Sequence, residues 1–103
     1  MGDTPIYEIQ ALETPMKVDE LGIPQFGGRE SMGFYYELET AKKAVINNWT
    51  DINESGAYNA AVILKKKPGL YPISIVEGYY IFNRKTEKYD EATMPKEMEH
   101  YSL

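Results

Sequence analysis

Four small groups of residues in this 103-residue chain have types and spacings that could do chemistry. Asp51 and Glu54 stand three apart, so one helical turn would bring both carboxylates to a single face. Such a pair can hold a hard cation or divide acid and base roles. A hard cation takes about six oxygens or more, and only Asp51 and Asn53 lie close by. The pair therefore reads as polar residues that tie down a helix exit through backbone hydrogen bonds. Phe26-Gly27-Gly28-Arg29 sets an aromatic ring and a cation around a flexible glycine pair. It matches neither the dinucleotide-binding nor the P-loop glycine pattern, and a plain hairpin loop is the competing reading. Lys65-Lys66-Lys67 could hold an anion, or could keep a strand end soluble. His100 is the single histidine and there is no cysteine, which removes thiolate nucleophiles, disulfides and cysteine-based zinc sites.

The tyrosines form the fourth group. Nine are present, more than one small core can bury while giving each hydroxyl a partner. Tyr35-Tyr36 and Tyr79-Tyr80 are adjacent pairs, so on strands one ring of each pair faces away from the helix. An exposed ring suits a protein partner or a stacked base. The alternative is ordinary strand propensity.

Elements must position these groups. The net charge of -5 disfavours duplex nucleic acid, which needs clustered cations, and suits a basic partner or a ligand held in a local basic pocket. A hydrophobic share of 43% with mixed charges argues against disorder. The start, MGDTPIYEIQ, has no basic or apolar leader region, and Ile6 leaves the myristoylation pattern incomplete. No apolar run approaches the roughly 20 residues of a membrane helix. The expectation is a soluble cytoplasmic protein of one domain over residues 1–103, without metal, cofactor or membrane contact.

With Leu38 at zero on a wheel of about 100° per residue, Ala41, Val45, Trp49 and Ile52 fall within roughly 60°. That is one apolar stripe, which predicts a helix from Leu38 to Trp49 packed against a sheet. Period-two patterns predict strands over Ile6–Leu12 and Glu30–Tyr36, the latter with Met32, Phe34 and Tyr36 sharing a face. Tyr58–Leu64 is apolar on both faces, as a central strand is. Further strands are expected over Ile73–Asn83 and Lys88–Ala92, the last charged as an edge strand should be. Residues 13–29 form a long connection, and Pro95–Tyr101 adds a helical turn or trails along the surface. The order predicts an α+β fold, one helix on a mostly antiparallel sheet of about five strands, β-β-α-β-β-β.

Gly33-Phe34-Tyr35, Leu38-Glu39-x-Ala41, Ala44-Val45, Asn48, Asp51-Ile52-x-Glu54, Tyr58, Ala61-Val62-Ile63 and Gly69-Leu70-Tyr71 make a recognisable pattern. Tyr80-x-Phe82-Asn83 and Lys88-Tyr89 continue it. Over residues 33–90 the chain resembles an uncharacterised family of short hypothetical proteins from gut bacteria and their phages. The resemblance implies a fold unit and a genomic neighbourhood, and brings no catalytic or ligand-binding residue with it.

No enzyme motif is present, so the first expectation is a non-enzymatic small-ligand binder of phage or prophage type. It would sequester a nucleotide-derived host-defence signal between tyrosine faces. Arg29, Lys65 or Arg84 would supply the phosphate contact. Phe26, Tyr35, Tyr71, Tyr79 and Tyr80 are the candidate rings. The alternative is an acidic inhibitor or adaptor that covers a basic surface of a host protein. An enzyme built from Asp, Glu, Tyr and Lys comes third. Surplus tyrosines and short strands also predict a homo-oligomer.

Overall fold

Residues 4–13, 17–18, 20–21, 24–25, 28–68 and 74–95 are described by the computed structural model. The chain runs β1 (Ile6–Leu12), β2 (Lys17–Val18), β3 (Pro24–Gln25), β4 (Arg29–Tyr35), α1 (Leu38–Ile46), β5 (Ala60–Lys66), β6 (Ser74–Asn83) and β7 (Lys88–Ala92). Five strands form one antiparallel sheet in the order β4-β1-β5-β6-β7, and β2 pairs with β3 as a separate ribbon. The fold is α+β, with α1 laid across all five strands of the sheet. No helix among the described residues is long and apolar enough to cross a membrane.

The long connection is closed at its ends. Glu13 N–H donates to Gly28 O at 2.9 Å, and Gly28 N–H donates to the Glu13 carboxylate at 3.1 Å. Phe26, Tyr71 and His100 lie outside the described residues, as do residue 73 and residues 96–101 of the expected elements.

β5 is central because its sequence is apolar on both faces, and both are buried. On the helix side, Ile9, Ala11, Ala61, Ile63, Tyr80 and Tyr89 pack against Ala41, Ala44, Val45 and Ile52. On the opposite side Leu12, Ala60, Val62, Leu64 and Tyr79 form a second buried cluster, joined by Ala92 and Met94. The sheet therefore has two cores where the sequence predicted one. Beside the second core, Glu8 accepts hydrogen bonds from Lys66 (2.7 Å), Gln10 (2.8 Å) and Ser31 (2.7 Å). Burial pulls the Glu8 carboxyl up, but those three bonds and the Lys66 charge outweigh it and hold the group below its ordinary value.

Two expectations about faces are corrected. The helix ends at Ile46, not Trp49, because Asn48 turns left-handed (φ 50°) and the Trp49 N–H closes back on Ala44 O. Trp49 is consequently 41% exposed, with its ring edge-on to Tyr35 at 6.4 Å, while Val45 and Ile52 take up the buried stripe. In β4 the period of two is broken by a bulge between the Ile9–Gly33 and Gln10–Ser31 pairs. Gly33 makes it possible at φ 118°. Met32 and Tyr35 then pack on the helix side, whereas Phe34 and Tyr36 are left exposed and edge-to-face with each other at 5.6 Å.

Candidate functional site

A cleft of about 820 Å³ opens where the exit from α1 meets the β6–β7 turn. Its lining comes from three places: Asn47 to Gly56 after the helix, Asn59 just before β5 with Phe82 on β6, and Arg84 and Glu87 in the turn. Phe82 N–H donates to Asn59 O at 2.9 Å, which ties the two strands together at the cleft.

The helix exit is built from left-handed backbone. Asn48, Thr50, Asp51, Glu54 and Ser55 all have φ between 49° and 59°, and Gly56 has φ 104°. Gly, Asn and Asp accept this region most readily; Thr50, Glu54 and Ser55 each cost roughly 1–2 kcal/mol there. Specific bonds offset that strain. Asn53 N–H donates to Asn48 Oδ1 at 2.9 Å, and Ser55 N–H and Oγ–H donate to one Asp51 carboxylate oxygen at 3.0 and 3.3 Å. Asn53 is itself buried and donates from Nδ2 to Tyr58 O, which also accepts from the Tyr89 hydroxyl at 2.9 Å. Asp51 thus ties the helix exit to backbone, as its place in the sequence implies. No cluster of metal-binding side chains occurs among the described residues.

Those bonds leave a defined set of groups for a ligand. One Asp51 oxygen and the amide nitrogen of Asn48 are uncommitted among the described residues. Arg84 and Glu87 are exposed, and neither side chain has a hydrogen-bond or ion-pair partner among the described residues. Asn47 donates to Lys43 O at 2.9 Å and keeps its amide oxygen available. Below the loop, Tyr89 is pushed up to about 12, chiefly by burial; a hydrogen bond with Asn53 opposes this and the Asp51 charge adds to it. On the loop's far side Tyr58 donates to Glu30 at 3.1 Å. That bond, then desolvation, then the charges of Glu30, Glu54 and Glu13 raise Tyr58 above its ordinary value. Glu54 is also raised, by desolvation first and then by Glu30 and Asp51.

The residues singled out from sequence do not converge on one place. Arg84 lines the cleft. Tyr35 and Lys65 share a cross-strand row with Tyr7 between them and Ile75 beyond, at the other end of the sheet. Tyr7 and Leu12 are five positions apart, about 17 Å of strand, and Arg84 lies past the Leu12 end. One nucleotide cannot touch both. Arg29 starts the edge strand β4. Tyr79 and Tyr80 face opposite sides of the sheet, as neighbours on a strand must, but both are buried, so neither offers a ring to a ligand. Sequence reasoning missed Asn47, Asn48, Asn59, Phe82 and Glu87. The available signal for the asparagines was the density of turn-forming residues from Asn47 to Asn59, where Asn, Asp, Ser and Gly fill seven of thirteen positions.

Comparison with protein-family models, curated proteins and solved structures found no match.

Proposed function

We propose that this chain is a non-enzymatic binding protein that takes a small nucleotide-type ligand in the cleft and releases it intact. The supporting observation is Arg84, an exposed cation with no ion pair among the described residues, beside a concave, amide-rich surface. Clefts of several hundred cubic ångströms suit small molecules, and a guanidinium grips a phosphate through paired, charge-assisted hydrogen bonds. Asparagine amides offer donor and acceptor together, the combination that a base edge matches. Phe82 supplies apolar surface at the strand junction. In this reading the protein acts by sequestration, and the buried Tyr79 and Tyr80 hold the sheet together without touching the ligand.

The test is to incubate the full chain with a panel of linear and cyclic nucleotides, remove free ligand, heat-denature the protein and analyse what is released. Recovery of an unchanged nucleotide, reduced at least tenfold by Arg84→Ala with an unaltered circular dichroism spectrum, supports the reading. Retention of none, or release of a converted product, overturns it.

A second reading rests on a separate observation. Phe34 and Tyr36 are exposed at β4, an edge strand of the sheet among the described residues, where an extended segment of another protein, or a second copy of this one, could add to the sheet. That would be the adaptor or inhibitor of a host protein, and it leaves the cleft free.

A further inference from the structure

The cleft carries more negative than positive charge. Its lining has one cation, Arg84, against two carboxylates, Asp51 from the helix exit and Glu87 from the β6–β7 turn. Glu87 is held in place by its own backbone: it has φ 59°, and its N–H donates to Asn83 O at 2.8 Å. The same turn is braced from Asn83, whose side-chain oxygen accepts from Lys85 N–H at 2.9 Å. Asp51 is braced by Ser55, which occupies one carboxylate oxygen and leaves the other open. The cleft therefore presents one carboxylate held by hydrogen bonds, Asp51, and a second, Glu87, carried on a fixed backbone; their remaining lone pairs accept hydrogen bonds and donate none.

A ligand that is all phosphate fits this poorly. Each phosphate beyond the first would meet Asp51 or Glu87 without a second cation to balance it. Hydroxyl groups fit well, because a carboxylate is the acceptor that proteins use for a ribose hydroxyl. Building on the nucleotide-binding reading above, we propose that Asp51 and Glu87 are specificity residues that recognise ribose hydroxyls and limit the phosphate count. The ligand class is then a ribonucleotide of low charge, a monophosphate or a single phosphodiester. Deoxyribonucleotides and nucleoside triphosphates are disfavoured.

The discrimination has a defined size. A hydrogen bond to a charged acceptor is a strong one, and its loss on removing the 2′-hydroxyl should weaken binding about tenfold or more. Triphosphates should also bind about tenfold more weakly, and added salt should narrow that gap by screening the carboxylates. Glu87→Gln is the cleaner variant, since the Glu87 side chain has no partner among the described residues whose loss would unsettle the fold. Asp51→Asn retains a side-chain oxygen for Ser55 and serves as the second.

The experiment is titration calorimetry of the full chain with the four ribonucleoside 5′-monophosphates, their 2′-deoxy counterparts and the magnesium-free triphosphates. The expected order is ribonucleoside monophosphate tightest, with Glu87→Gln and Asp51→Asn each tightening the triphosphate and reducing the preference for ribose. Equal affinity for the deoxy compounds, triphosphates that bind best to the unaltered protein, or ratios unchanged in both variants would overturn this inference while leaving nucleotide binding intact. Absence of heat with every probe would overturn the binding reading itself, and the inference with it.

Discussion

Tyr80 on the sheet and Tyr36 just past its edge strand are the same residue type, yet one is 1% exposed and the other 66%. The difference lies in what covers each side. Tyr80 stands on β6, flanked by β5 and β7 and roofed by α1, and its ring lies along its own strand over Gly78. Tyr36 stands one residue past the edge strand β4, on the side to which the Gly33 bulge turns it, with Phe34 as its neighbour. Strand propensity placed both; burial was decided by position in the sheet and by a single extra residue. The two edges differ in the same way. β7 sets Lys88, Asp90 and Glu91 around its buried Tyr89, a protected edge, whereas β4 shows aromatic rings.

The largest expected effect breaks the comparison at its buried end. Tyr80→Ala removes a core ring and should destabilise the fold by about 3–5 kcal/mol. Tyr36→Ala should stay within about 0.5 kcal/mol of the parent. Urea denaturation of the two variants checks the pair, and equal losses would show that the β4 side is packed as tightly as the β6 side.

Alkaline titration comes next. Burial raises Tyr79 and Tyr80 above their ordinary value and takes Tyr89 to about 12. An unfolded tyrosine releases its proton near pH 10. From about pH 10 upward, and for Tyr89 up to about pH 12, the unfolded state therefore holds fewer protons than the folded one, and stability falls as pH rises. The slope is up to roughly 1.4 kcal/mol per pH unit for each such group, with no contribution below about pH 9. Denaturation midpoints at pH 9, 10 and 11 read this directly; Tyr89→Phe should flatten the curve. A flat curve in the parent would mean that the three hydroxyls are reached by water.

Much of this contrast was legible beforehand. β1 has the bounds its period-two pattern predicts, β7 those expected of a short charged edge strand, and β5 is central because Ala60 to Leu64 is apolar on both faces. The bulge was not legible, since Gly33 reads equally well as an ordinary strand residue until its φ of 118° is known. Nor was the end of the helix. Trp49 continues the apolar stripe, and only the left-handed turn at Asn48 lifts it off the sheet. Burial of Tyr79 required knowing that the far face of the sheet is a core as well, which depends on contacts distant in sequence. The cleft was the least legible part, because its groups come from three segments and none of them makes a motif alone.

Two glycines sharpen the comparison at smaller scale. A Cβ at Gly78 would lie 2.8 Å from the Tyr80 ring, so Gly78→Ala should cost about 1–3 kcal/mol through overpacking. A Cβ at Gly33 meets nothing within 4 Å, so Gly33→Ala should cost on the order of 1–2 kcal/mol through backbone strain alone. A double-mutant cycle separates the causes. In a Tyr80→Ala background the penalty at Gly78 should vanish, while the penalty at Gly33 should persist. Persistence of both would show that Gly78 is also held by its backbone.

The smallest stability effect belongs to the exposed rings themselves, and it carries the assembly question. Phe34 and Tyr36 are 50% and 66% exposed and meet each other edge-to-face, so changing both to Ser should move the unfolding free energy by less than about 1 kcal/mol. If the β4 edge joins two copies, these rings are the apolar part of the contact, and a two-fold pairing would present the same rings from both sides. Light scattering at high micromolar concentration should then give a mass above the 11.8 kDa of one chain for the parent, and the mass of one chain for the double variant. A parent already at the mass of one chain would remove the homo-oligomer. The Gly33 bulge works against long ladders here, because a kinked edge can pair only over the few residues on one side of it. Any dimer formed through β4 should therefore be weak, held mainly by the four rings, and should dissociate on dilution into the low micromolar range.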